Sequence, residues 1–159
     1  MKILDKINYF VGICAALITM IMTVLVLVGI VCRYCLSVPF PEGQELAIYA
    51  MVYVVMLGST CAVYNKTHIA VTFLVEKFPL NLRLFVRLLS YVAMLIFFYI
   101  LLDYGWTLTQ RSTLQMSPST GIPVGYVVIS IPFAAALSII YVIKQIIEEF
   151  QNYRNGKQR

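Results

Sequence analysis

Four residues at the end of a long apolar run, Cys32-Arg33-Tyr34-Cys35, form the arrangement most open to chemistry. Two thiols at this spacing can exchange with a disulfide when one of them is deprotonated. Cys14 and Cys61 lie inside other apolar stretches, where cysteine is an ordinary small filler. Ionisable residues within or beside the apolar runs are few, and Arg33, Glu45 and Asp103 stand out because charge is costly there. His68 is the only histidine, so no histidine-based metal cluster exists and no cofactor is implied. It either caps and hydrates a surface segment or donates a hydrogen bond to a partner protein or lipid headgroup.

The elements that must carry these residues follow from composition. The 159 residues are 61% hydrophobic and only 12% charged, with a mean hydropathy of +0.87, outside the range of soluble domains. Charge-free runs occupy residues 7–32, 46–65, 88–102 and 112–143. About 20 apolar residues cross a hydrocarbon core of roughly 30 Å. Three runs suffice alone, and flanking residues whose charged ends can reach the interface extend the third. The pattern predicts an all-α integral membrane protein with four transmembrane helices at about 8–32, 44–64, 83–109 and 123–147. A short interfacial segment at 66–78 and a solvated tail at 148–159 complete a single domain. The first run is about twice as long as the apolar region of a secretory signal, and no small-x-small site precedes Arg33. It is therefore expected to remain as an uncleaved helix.

Lysine and arginine concentrate on alternate connections: Lys2 and Lys6, then Lys66, Lys77, Arg83 and Arg87, then Lys144, Arg154, Lys157 and Arg159. Only Arg33 and Arg111 fall on the other side. The positive-inside rule then places both termini in the cytoplasm. The net charge of +5 is a membrane-flanking charge and gives no reason to expect nucleic acid. Arg33, Glu45 and Asp103 reach a similar outer depth, so Arg33 is expected to pair with Glu45 or Asp103.

Within the spans, Gly12 with Ala16, Gly58 with Ala62, and the stripe Ser130, Ala134 and Ser138 repeat small residues four apart. Such faces let helices approach closely. Pro132 should kink the fourth span or loosen a turn of it. No ionisable residue lies near the middle of any span, whereas ion-coupled carriers need such groups or broken helices at that depth. A chain of this kind is not expected to move a solute alone.

In order along the chain, Arg33-Tyr34, then Pro41-Glu42-Gly43-Gln44-Glu45-Leu46-Ala47, Leu57-Gly58, His68-Ile69-Ala70-Val71 and Ser117-Pro118-Ser119-Thr120-Gly121-Ile122-Pro123 with the later Pro132 resemble the DctQ family. These are the small membrane subunits of TRAP transporters. Two positions depart from the family pattern: Glu42 stands where it has Trp, and Gln44 where it has the first of two acids. Any role of that Trp or first acid does not carry over.

The resemblance implies a bacterial inner-membrane subunit of a tripartite uptake system, usually driven by a sodium gradient. A periplasmic substrate-binding protein would deliver an organic anion to a large membrane subunit of about twelve spans. The small subunit would widen that partner's static scaffold. Residues 68–77 look closer to the sialic-acid and sugar-acid branches than to C4-dicarboxylate systems. Partner or lipid contacts would fall at Tyr34, Glu42, His68, Arg83, Arg87, Ser117 and Pro118. The alternative is a membrane thiol–disulfide oxidoreductase using Cys32 and Cys35, similar to the quinone-linked disulfide oxidases. Those enzymes relay electrons through a second external cysteine pair, and the second outer loop here has no cysteine.

Overall fold

The computed structural model describes residues 2–65 and 80–156, with side chains over 4–65 and 86–151. Four long helices form: α1 (Lys2–Tyr34), α2 (Pro41–Tyr64), α3 (Leu80–Ser112) and, after the short α4 (Gly125–Val128), α5 (Ser130–Gly156). No strand occurs among the described residues, which hold one isolated bridge, Met116 to Pro123. Apolar spans of membrane-crossing length occupy Leu4–Tyr34, Pro41–Tyr64, Val86–Ser112 and Gly125–Gln151. The expected segment at 66–78, and His68 with it, lies outside the described residues, as does the side chain of Arg83.

Each helix outruns its charge-free stretch. α1 begins at Lys2 and carries Asp5 in its first turn, where an acid suits the helix dipole. α2 opens on Pro41, whose fixed φ and missing N–H suit a first helical position. The fourth span, expected as one helix kinked or loosened by Pro132, is divided at Ile129, three residues before that proline. Proline at 132 cannot donate to the Val128 carbonyl and crowds it. The Ser130 hydroxyl instead donates to the Val127 carbonyl at 2.8 Å.

The helices stand in a row rather than a closed bundle. α1 packs on α2, α2 on α5, and α5 on α3, with α4 wedged mainly against α3. The most apolar stretch of α1 buries no residue, whereas the fourth span is the most buried. The core gathers Val63 of α2, Phe98 of α3, and Tyr141 and Val142 of α5. Tyr141 meets Tyr64 edge-on at 4.9 Å between ring centroids.

Close approach between α3 and the fourth span rests on two glycines the sequence reading did not single out. A Cβ on Gly105 would lie 3.0 Å from the Ile131 side chain and 3.4 Å from the Pro132 nitrogen. A Cβ on Gly125 would lie 2.8 Å from the Thr113 backbone, inside contact distance. Both glycines are small-residue crossings of the fold.

Candidate functional site

Polar residues join the helices at both ends of the row. At the loop end, residues 115–124 fold back as a compact hairpin: the Ser117 N–H donates to the Ile122 carbonyl at 3.0 Å, and Val124 to Gln115 at 3.0 Å. Gly121 supplies the left-handed turn, with φ of 67°. Glu45, in the second turn of α2, clasps this hairpin. Its Oε2 accepts the Ser119 and Thr120 backbone N–H groups at 3.2 Å each, and its Oε1 accepts the Tyr49 hydroxyl at 2.7 Å. Ser117 is buried beneath, 2.7 Å from the Thr120 hydroxyl, while Pro118 stays exposed. Tyr53 adds a second tie, donating to the Tyr126 carbonyl of α4.

At the opposite end, Lys144 of α5 binds Tyr64 of α2 at 2.7 Å and Asp5 of α1 at 3.4 Å, and Tyr64 also donates to Asp5. Arg87 of α3 pairs with Glu149 of α5 at 2.5 Å, and Gln145 donates to the Val63 carbonyl at 2.6 Å. Every neighbouring pair in the row is thereby tied where the N-terminus and the last helix share an end. Asp5, Tyr64, Lys144, Gln145 and Glu149 were not singled out from sequence. Their signal was available in outline, since acids and bases at matching depth on different spans are candidates to pair.

The expected pairing of Arg33 is corrected. Among the described residues it makes no ion pair with Glu45 or Asp103. Glu45 is committed to the hairpin, and Asp103 sits on α3, at the other edge of the row from α1. The Arg33 guanidinium instead lies 6.0 Å from the ring of Tyr34, itself exposed like Glu42. Cys32 and Cys35 are both free thiols, and Cys35 is exposed.

The small-residue faces divide in two. Ser130, Ala134 and Ser138 are buried inside the row. A Cβ added to Gly12 or Gly58 meets nothing within 4 Å, and Ala16 and Gly58 are exposed. These two faces are thus open to a neighbour outside the chain.

The model of the DctQ component of tripartite ATP-independent periplasmic transporters matches residues 22–152. The chain belongs to the DctQ family. A protein of Haemophilus influenzae assigned as a TRAP transporter small permease is 27% identical over 105 residues, covering 66% of this chain. The match spans 65% of that relative's length. A DctQ-family chain is a multi-pass transporter component, and this membership gives no support to thiol–disulfide chemistry at Cys32 and Cys35. No cluster of three or more metal-ligating side chains exists among the described residues. The geometry fits a component that binds other membrane molecules: polar side chains tie the helices together at both ends of the row, and its open faces are apolar.

Proposed function

We propose that this DctQ-family chain scaffolds the large membrane subunit of a TRAP transporter in the bacterial inner membrane. It does so during sodium-gradient-driven uptake of an organic acid anion, with both termini cytoplasmic. The observation carrying this reading is the open row, in which α1 buries none of its most apolar stretch and Gly12 and Gly58 face outward with room for a backbone. Helices gain no hydrophobic energy by leaving lipid for one another, so close packing at small residues must carry association. Among the described spans Asp103 is the only ionisable residue within about four positions of a span's midpoint, and a single such group without an ion pair supports leaving transport to the partner.

The hairpin held by Glu45 would face the periplasm, on the side where a substrate-binding protein delivers its cargo. Phospholipids would cover what the large subunit leaves bare. Sialic acid or a sugar acid is favoured as cargo over a C4-dicarboxylate, on the residues at 68–77.

An affinity tag on this chain should recover a hydrophobic protein of about twelve spans from native membranes. Vesicles holding both chains, with the binding protein added, should accumulate labelled sialic acid under an inward sodium gradient. Recovery of the chain alone, or equal uptake by the large subunit without it, would refute the scaffold. Accumulation of a C4-dicarboxylate instead would refute the cargo only.

A further inference from the structure

A groove of about 820 Å³ opens between the second half of α1 and the first half of α2, beneath the turn that joins them. Its walls are apolar, with Met22, Gly29 and Ile30 on one side and Ala47, Ile48 and Met51 on the other. Arg33 stands at its mouth with Gln44, and no carboxylate lines it. The guanidinium has no ion pair among the described residues, its neighbour being the Tyr34 ring. An uncompensated arginine at the head of an apolar trough within the spans calls for an anion that carries its own apolar tail.

We propose that this groove holds one phospholipid, its phosphate on Arg33 and its acyl chains along α1 and α2. Length and charge support this occupant. From Arg33 to Met22 the groove runs eleven helical residues, about 16 Å, close to half of a roughly 30 Å hydrocarbon core. That is the depth of one leaflet. The arginine at the head of the trough favours an anionic lipid over an apolar helix face. The planar guanidinium supplies paired donors matched to phosphate oxygens.

The test is native mass spectrometry of the full chain in mild detergent, titrated with phosphatidylglycerol. It needs no transport partner, so its failure is separate from failure of the scaffold reading. One retained lipid per chain is expected. Arg33→Gln should weaken retention about fivefold, the worth of one basic side chain near an anionic headgroup. Gly29→Leu should abolish it by filling the trough, and open space around Gly29 lets the helix accept the larger side chain. Arg111→Gln, whose residue does not line the groove, should retain lipid as the parent does. Circular dichroism of each variant checks that helicity is kept, and either lining variant alone suffices to decide. Undiminished lipid in a folded Arg33→Gln or Gly29→Leu variant would overturn the site. So would displacement by inorganic phosphate, or a lipid-free dimer that occupies the groove with a second copy.

Discussion

Glu45 is the residue on which the loop end turns, because one carboxylate satisfies two backbone N–H groups and a tyrosine hydroxyl. Glu45→Ala takes the acceptor from both N–H groups, and with Ser119 open to water a modest loss of stability is expected. Chemical denaturation in detergent should show it, together with faster proteolysis within residues 113–124. Arg33→Ala, by contrast, should change the stability of the isolated chain by less than about 0.5 kcal/mol, since it breaks no ion pair. Tyr141 makes a third case. Its hydroxyl is buried without a hydrogen-bond partner among the described residues, as is that of Ser138. Tyr141→Phe keeps the ring against Tyr64 and removes the unpaired group, so unfolding should shift toward higher stability by about 1 kcal/mol or stay level. A clear destabilisation would show that the hydroxyl has a partner in the membrane.

Among the elements, the meeting of α3 with the fourth span tolerates the least change. Gly125→Ala places a methyl against the Thr113 backbone, which cannot swing away as a side chain can. Strain of about 1–3 kcal/mol follows, read as a lowered thermal midpoint. Gly58→Ala on α2 meets open space and should be silent in the isolated chain. Gly58→Leu should still leave the chain folded but reduce recovery of the large subunit. The contrast explains what could be read beforehand. A four-residue repeat of small residues marks a helix face but not which molecule covers it, so Gly12 and Gly58 looked equivalent to Ser130 and Ser138. Gly125 follows Gly121 by four residues, but Gly121 lies in the loop rather than on a helix face, and Gly105 is followed at four by Thr109; the need for glycine at 105 and 125 appears only when Pro132 and Thr113 are placed opposite them.

For the whole molecule, the four spans were legible because lipid penalises charge residue by residue, a signal that runs along the chain. Lateral order leaves no such mark. Arg33 and Asp103 are expected at a similar depth from the sequence, yet their helices sit on opposite edges of the row, and only packing surfaces decide that. The polar ties at the other end escaped notice for a related reason. Asp5, Lys144 and Glu149 read as ordinary flanking charges until α1, α2, α3 and α5 are set side by side. Lys144→Met removes the bonds of α5 to Asp5 of α1 and Tyr64 of α2 while Gln145 keeps its hold on Val63; membrane hydrogen bonds average about 0.6 kcal/mol, so a loss near 1 kcal/mol is expected. Steric trapping or denaturant titration would measure it. The row also dictates a timetable for synthesis. The last helix made is the one that sits between the second and the third, so α1 with α2 and α3 by itself enter the bilayer as unconnected pieces. A nascent chain stalled before Ser130 should show α2 and α3 still free of one another by cross-linking, and they should join only when the final span arrives. Until then the molecule has no centre.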